Sequence, residues 1–170
     1  DRRQLFNSRL SALATAHDIL TTSTWTTASL REVIEAALLP HLPGEQRVSV
    51  QGEHIDLSPK QALSMALAIH ELATNAAKYG ALSTNEGNVA ISWEVASVAG
   101  EKRFVFTWTE SGGPQVNEPK RSGFGSRLIT KVLAADFGGK VSIDYASQGV
   151  RCVLETDAGS VTASKPKKRD

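Results

Sequence analysis

The sequence predicts an α+β fold, a two-layer α/β sandwich with a mixed sheet and an N-terminal helical segment. Segments with apolar residues at helical spacing come first, and a long apolar helix follows. Segments in which apolar and polar residues alternate, as in strands, then follow in pairs. Helices that precede paired strands favour one helical layer packed on one sheet. At 170 residues, with 41% hydrophobic and 22% charged residues, the chain fits one domain with its own core.

The first half of the chain is predicted to be mainly helical. Apolar residues at helical spacing predict a first helix over residues 5–20, which ends at the hydroxyl-rich stretch 21–27. Ser29, with Glu32 three residues on, is a suitable N-cap for a helix over 30–39. A strand at 47–50 and an extended piece at 54–57 precede Ser58-Pro59, which begins the longest helix, ending near Gly80.

The second half alternates strands with one helix. Strands are predicted at 88–95 and 103–110, joined by a turn at Ala99-Gly100. A loop over 111–122 leads into a helix over 124–137, which Gly138-Gly139 ends. Two last strands, 141–145 and 150–156, form a hairpin around residues 147–149.

Composition narrows the class of protein. A net charge of +1, with Lys and Arg spread along the chain, argues against a nucleic-acid partner. No apolar run reaches the roughly 18 residues of a membrane helix, so no membrane segment is expected. The single Cys152 excludes an internal disulfide and fits a reducing compartment, which favours a cytoplasmic location. The basic run 165–169 predicts a disordered tail.

The long helix changes character near its end. Glu71, Asn75 and Lys78, with Thr74, recur at spacings that place them on one face, and His70 lies beside them. A carboxylate, a carboxamide and an ammonium group suit a metal–triphosphate complex. The alternative is an ordinary solvated stripe. A zinc-protease helix is disfavoured because Thr74 stands where the second histidine is needed.

The strand over 103–110 ends in a carboxylate. Alternation places Glu110 on the same face as Phe104, Phe106 and Trp108. A carboxylate that leaves an apolar layer needs a hydrogen-bond donor, and an adenine amino group is one such donor. Gly112 and Gly113, which follow, would let a flat base approach the backbone. Equally, Trp108 could be simple core and Glu110 an exposed strand end.

A glycine pair opens the helix over 124–137. Gly123-Phe124-Gly125-Ser126-Arg127-Leu128 would expose backbone N–H groups suited to phosphate. The cations Lys120, Arg121 and Arg127 flank this segment. The alternative is a flexible loop end. A dinucleotide fingerprint is excluded because Leu128 occupies the third glycine position.

The order of these three segments resembles the Bergerat ATP-binding fold of histidine kinases, type II topoisomerases, Hsp90 and MutL. The segments 70–82, 108–114 and 123–128 are similar to the N box, the Trp-x-Glu element and the G2 box of the HWE histidine kinases. The resemblance spans about residues 5–155. It implies a catalytic domain of a sensor histidine kinase.

The resemblance also implies a role for each site residue. Asn75 would bind Mg²⁺, and Glu71 would hold a metal-bound or phosphate-proximal water or assist proton transfer. Together with His70, which would support the nucleotide pocket, these form the expected catalytic group, and Glu71 and Asn75 form the metal group. Lys78 would approach a phosphate, Glu110 would accept from the adenine amine, and Gly123 and Gly125 would cradle phosphate. The residues expected to bind the cofactors ATP and Mg²⁺ are Asn75, Lys78, Glu110, Gly112, Gly113, Lys120, Arg121, Gly123, Phe124, Gly125, Ser126, Arg127 and Leu128.

The resemblance divides the chain into three parts. Residues 1–28 would be part of the second helix of a dimerisation and phosphotransfer hairpin, 29–158 the catalytic domain, and 159–170 a disordered tail. The phosphoacceptor histidine is expected upstream of this chain, with His17 structural and His41 and His54 at the surface.

The implied partners are a response regulator receiver domain, a sensor domain in the parent chain, and a second copy through the N-terminal helices. Four apolar residues of the first helix are expected to be buried against another copy or the domain itself, namely Leu5, Phe6, Leu10 and Leu13. Two other hypotheses stay open: a non-catalytic ATP-binding interaction module, and a serine kinase or ATPase of the same fold.

Overall fold

The computed structural model describes residues 2–22, 27–42, 47–117 and 124–161. Helices pack on a five-stranded mixed sheet, which confirms the predicted fold class. Alternate residues of the central strands are buried, so one face of the sheet carries the core.

The helices follow the predicted order with one irregularity. The α-helices are α1 (Arg2–Thr22), α2 (Leu30–Leu38), α3 (Pro59–Lys78), α4 (Phe124–Arg127) and α5 (Ala134–Phe137). A π-helical turn, Leu128–Leu133, joins α4 to α5, so the single predicted helix over 124–137 is not regular. Short 3₁₀ turns lie at Leu39–His41, Ala81–Ser83 and Ala158–Ser160.

The strands form two sheets. They are β1 (Ala28–Ser29), β2 (Val48–Gly52), β3 (Asp56–Leu57), β4 (Asn88–Val98), β5 (Glu101–Ser111), β6 (Lys140–Ala146) and β7 (Gly149–Asp157). The main sheet has the order β2-β4-β5-β7-β6, in which only the β2–β4 pair is parallel. The short strands β1 and β3 pair with each other.

Helix α3 is the central element of the core. Ser58 caps it by accepting from Gln61 N, and the Gln61 side chain accepts from Ser58 N, a reciprocal capping box. Met65, Ile69 and several alanines on α3 are fully buried, beneath the sheet residues Phe106 and Trp108. Small residues along α3 therefore let the neighbouring elements pack closely against it, and this packing sets the distance between its C-terminal turns and the sheet.

Helix α1 packs on α2 and α3 through Ala12, Ala16 and Leu20, which are buried. Phe6 and Leu10 remain 65% and 55% exposed, so the expected burial of these two residues within the domain is wrong. Leu13 is half-buried, and the Leu5 side chain lies outside the described residues. Pairing of this face with another copy stays a prediction. Among the described residues, no helix combines the length and hydrophobicity needed to cross a membrane.

Ordered structure extends past the predicted boundary at residue 158. Ala158–Ser160 form a 3₁₀ turn, Ser160 O accepts from Gln61 Nε2 at 2.6 Å, and Val161 is buried. The rest of the predicted tail, residues 162–170, lies outside the described residues.

The edge strand β2 is covered by a side chain from α2. Arg31 donates from Nη1 to Val50 O at 3.1 Å and from Nη2 to Gly52 O at 3.2 Å. Its guanidinium also lies 5.3 Å from the centre of the Trp93 ring. Two outward carbonyls of β2 are thereby hydrogen-bonded.

Candidate functional site

One cavity of about 550 Å³ collects the three segments that the sequence singled out. It lies between the C-terminal half of α3, the end of β5, helix α4 and strand β6. Asn75, Glu110 and Gly125 all line it, as the predicted convergence requires. The full lining is Arg9, Glu71, Leu72, Thr74, Asn75, Lys78, Tyr79, Gly80, Glu110, Val116, Asn117, Gly125, Ser126, Ile129, Ile143, Tyr145 and Val150.

Glu71 is the buried carboxylate of the α3 face. Only 4% of the residue is exposed, and its Oε1 accepts from Arg9 Nε at 2.6 Å. A Cβ atom on Gly125 would lie 2.4 Å from Glu71 Oε2. The glycine at this position therefore lets the backbone of α4 approach the carboxylate closely.

Asn75 and Lys78 are the exposed polar groups of the same face. Within the described part of the chain, neither side chain has a hydrogen-bond or ion-pair partner. Thr74, which precedes Asn75, donates from Oγ1 to His70 O at 2.8 Å, so its hydroxyl is hydrogen-bonded within its own helix. A carboxamide and an ammonium group are thus presented together at the cavity.

Glu110 ends the aromatic face of β5 and is 4% exposed. Its Oε2 accepts from Ala81 N at 3.0 Å and its Oε1 from Trp108 Nε1 at 3.1 Å. Burial raises the pKa of this carboxyl, and the hydrogen bonds from Ala81 and Trp108 partly offset the rise. The alternative of an exposed strand end is wrong, because the chain itself supplies two donors to a buried carboxylate.

The glycines around Glu110 pack against the chain's own backbone. A Cβ on Gly80 would lie 2.2 Å from Glu110 Oε2, and one on Gly113 would lie 2.6 Å from Ala81 Cα. Gly112 has φ of +70° and faces the carbonyl of Glu86. Gly112 and Gly113 are not among the residues that line the cavity, and their role beside a flat base stays a prediction. Their missing side chains allow the loop after β5 to pack closely on the segment that contains Ala81 and Glu86.

His70 lies beside the cavity face of α3 and is not among the residues that line the cavity. It is buried, with Nδ1 at 3.0 Å from His41 Nε2 and Nε2 at 3.0 Å from Ser8 Oγ. Burial lowers the pKa of His70, Glu71 opposes the shift and Arg9 adds to it. Burial and the neighbouring His70 lower the pKa of His41. His70 thus joins α1, α3 and the turn after α2, and its expected support of the nucleotide pocket stays a prediction.

Of the other three histidines, His17 and His54 lie at the surface, whereas His41 does not. His41 was expected there too, but it is half-buried because it contacts the His70 ring, with centroids 4.9 Å apart. His54 is exposed and bonds to Asp56 Oδ1 at 3.0 Å. His17 lies on the exposed side of α1.

Several of the expected phosphate-binding residues fall outside the described chain. Lys120, Arg121 and Gly123 do so entirely, and the side chains of Phe124 and Leu128 are likewise not described. Ser126 lines the cavity, and its Oγ lies 3.4 Å from Tyr145 Oη. Arg127 is exposed and is not among the cavity residues.

Sequence reasoning missed the residues that tertiary packing brings to the cavity. Arg9 comes from α1, and no spacing pattern links that helix to the motif on α3. Ile143 and Tyr145 come from β6, where alternation puts both on the half-buried face. That alternation was the one local signal available, but it does not specify which ligand site the face lines.

Known proteins with similar sequences are histidine kinases. Residues 1–54 match the family model described as HWE histidine kinase. The blue-light-activated histidine kinases of Brucella ovis and Brucella anthropi are each 40% identical over 148 residues, which cover 86% of this chain and 30% of theirs. The chain thus spans less than a third of the length of these curated relatives.

Solved structures with the same fold are also histidine kinases. The histidine kinase domain of the Erythrobacter litoralis EL346 blue-light-activated kinase aligns with a TM-score of 0.66 at 16% identity, covering 90% of this chain and 74% of that one. The ATP-binding domain of PrrB from Mycobacterium tuberculosis gives 0.55 at 18% identity, covering 76% and 93%. Residues 1–54 are therefore similar to the HWE histidine kinases, and the chain has the Bergerat fold that histidine kinase ATP-binding domains share.

Proposed function

We propose that this chain binds Mg²⁺–ATP in the 550 Å³ cavity and transfers the γ-phosphoryl group to a histidine outside the chain. The observation that carries the proposal is the convergence of Asn75, Glu110 and Gly125 on one cavity. Three segments far apart in sequence present a carboxamide, a buried carboxylate and a closely packed glycine to the same space. The similarity to HWE histidine kinases supports the reaction type.

The nucleotide is proposed to lie with its base toward Glu110 and its phosphates toward Lys78. Each Glu110 oxygen accepts one hydrogen bond from the chain, and a carboxylate offers about four acceptor positions, so acceptor capacity remains for an adenine amine. The exposed Lys78 ammonium can neutralise phosphate charge. Gly123, Gly125 and Ser126 are assigned to the phosphates by their place in the G2 box.

Mg²⁺ is proposed to be held by the Asn75 carboxamide oxygen, with Glu71 orienting a metal-bound water. The ion supplies charge neutralisation on the phosphates and takes oxygen ligands, which Asn75 and Glu71 both offer. A magnesium site with few protein ligands is ordinary where substrate phosphates complete it. The Asn75 side chain supports this fit, because it is exposed and has no partner among the residues that the structure describes.

Catalysis by this chain is then a matter of position and charge. In the transfer, the bond between the γ-phosphorus and the oxygen of ADP breaks, and a nitrogen–phosphorus bond to the acceptor imidazole forms. The cavity residues hold the triphosphate and balance its charge.

The wider assignments are part of the same proposal. Residues 1–28 would complete a phosphotransfer hairpin and 29–158 the catalytic domain. A sensor domain would lie elsewhere in the parent chain, and a response regulator would receive the phosphoryl group. The exposed Phe6 and Leu10 support pairing of α1 with a second hairpin. The proposal places the reaction in the cytoplasm, where ATP is available.

Calorimetric titration with Mg²⁺–ATP tests the binding step. Asn75→Ala should weaken Mg²⁺–ATP about tenfold, because it removes one oxygen ligand worth roughly 1.4 kcal/mol. Asn85→Ala, an exposed asparagine away from the cavity, is the matched control and should bind like the unmodified chain. No saturable binding, or equal affinity in both variants, refutes the proposal.

A second experiment separates the reaction types. A longer parent chain that carries the predicted acceptor helix is given ATP labelled at the γ-phosphate. Acid-labile label on a histidine supports the kinase. Acid-stable label indicates a serine kinase, and binding without label indicates an interaction module, so either result overturns the transfer step.

A further inference from the structure

Two consecutive residues of α1 contact two consecutive residues of α3. Ser8 Oγ lies 3.0 Å from His70 Nε2, and Arg9 Nε lies 2.6 Å from Glu71 Oε1. The residues of the first contact do not line the cavity, whereas both residues of the second contact do. Helix α1 is therefore joined to α3 at the position where α3 enters the candidate site.

The contact with Arg9 engages the carboxylate assigned to the metal-bound water. The Glu71 side chain is 5% exposed and that of Arg9 20%, so solvent screens this pair less than a surface ion pair. The other oxygen, Oε2, faces the Gly125 backbone. Both oxygens of Glu71 are thus in contact with the chain.

We propose that Arg9 is a latch, whose ion pair with Glu71 must open before Glu71 serves a magnesium–nucleotide complex. This inference rests on the proposed function. The Arg9 guanidinium and the bound magnesium–nucleotide complex then compete for the Glu71 carboxylate. Docking of α1 through Arg9 lowers nucleotide affinity, and release of α1 raises it. Nucleotide binding in turn loosens α1, because coupling between two sites is reciprocal.

The competition follows from charge. A guanidinium and a magnesium ion are both cations, and each gains from the same carboxylate while repelling the other. If only a fraction of molecules have Glu71 released, the apparent affinity falls by that fraction. Because the Arg9–Glu71 pair is hydrogen-bonded and partly buried, it is expected to weaken the affinity for Mg²⁺–ATP roughly threefold to tenfold.

The test compares two arginines of the same helix. Arg9→Met removes the cation from the cavity and keeps an unbranched side chain, whereas Arg3→Met makes the same charge change at an exposed position of α1 outside the cavity lining. Arg9→Gln gives a second variant with a polar side chain. Affinity for ATP is measured by calorimetry with Mg²⁺ and with a chelator, and backbone hydrogen exchange is followed along α1.

Arg9→Met and Arg9→Gln should bind Mg²⁺–ATP roughly threefold to tenfold more tightly than the unmodified chain. When a chelator removes Mg²⁺, the same variants should show a smaller change in affinity for ATP. Adding Mg²⁺–ATP to the unmodified chain should speed exchange in α1, and the Arg9 variants should exchange faster without it. Arg3→Met should match the unmodified chain in both readouts.

Weaker Mg²⁺–ATP binding by the Arg9 variants would overturn the latch and make Arg9 a phosphate ligand. Equal affinity of the Arg9 and Arg3 variants would overturn it as well. In both cases the unmodified chain still binds Mg²⁺–ATP, so the proposed function stands. Failure of the unmodified chain to bind refutes the proposed function itself.

Discussion

Gly80→Ala tests the packing that holds Glu110 at the cavity. Gly80 follows α3 and has φ of −107° and ψ of −151°, an extended conformation that alanine adopts without strain. The new Cβ would lie 2.2 Å from Glu110 Oε2 and 2.9 Å from Ala76 Cα. The methyl group therefore has to displace the carboxylate, since the helix backbone on the other side cannot move independently of the core.

Two costs add up for this substitution. Overpacking of a dense interior costs about 1–3 kcal/mol. Displacement of Glu110 also lengthens the 3.0 Å hydrogen bond from Ala81 N, and a hydrogen bond to a charged group contributes about 1.5–3 kcal/mol. The free energy of unfolding should fall by about 4 kcal/mol, near the middle of the summed range of about 2.5–6 kcal/mol. Nucleotide affinity should fall with it, because the displaced carboxylate no longer meets the base.

Urea unfolding followed by circular dichroism measures the first effect and calorimetry the second. The control is Gly159→Ala, because an added Cβ there has no atom within 4 Å and should change stability by less than about 0.5 kcal/mol. Equal unfolding midpoints for the two variants would refute the reasoning. So would a destabilised Gly80→Ala chain that retains full nucleotide affinity.

Three further outcomes are expected. Burial lowers the pKa of His41 and His70, so the unfolded chain binds more protons, and the free energy of unfolding should fall as the pH drops through about 6.5; His70→Gln should flatten that slope in urea titrations. The Cys152 thiol is fully buried with its pKa raised to about 12, so a maleimide should label it only at the rate at which the fold opens. Ser58→Ala should cost about 1 kcal/mol of unfolding free energy, because Gln61 N loses its acceptor at the start of α3.

Each of these outcomes has a result that contradicts it. A pH slope that is the same in His70→Gln and the unmodified chain would remove the histidine pair as its source. Rapid labelling of Cys152 at low urea would contradict its burial. A Ser58→Ala chain as stable as one carrying Ser92→Ala, an exposed serine in β4, would show that the cap contributes nothing.

The parts of the site that the sequence predicted are those set by local periodicity. Glu71, Asn75 and Lys78 share a face because helical spacing is fixed by backbone geometry, and Glu110 joins the aromatic face of β5 because side chains alternate along a strand. The resemblance to the family's three motifs added their convergence on one cavity. The helices and the main hairpins of the fold were predicted for the same reason.

The parts that were missed depend on tertiary packing. Nothing in the spacing of α1 indicates that Arg9 enters the cavity or that Ser8 reaches His70. His41 was assigned to the surface because its partner lies 29 residues away on another helix. Gly113 was predicted to lie beside a bound base. In the structure, Ala81 lies so close to it that a side chain at position 113 would clash. A glycine in a sequence indicates a close approach without naming what approaches.

The cover that Arg31 places over β2 has a consequence for how copies of this chain meet. An edge strand with bare carbonyls is a template on which a second molecule can add a strand, a common start of aggregation. Strand addition at Val50 and Gly52 would first have to break two hydrogen bonds and lift a cation from the Trp93 ring. Self-association along that edge is thereby penalised, which favours contacts between copies elsewhere on the molecule.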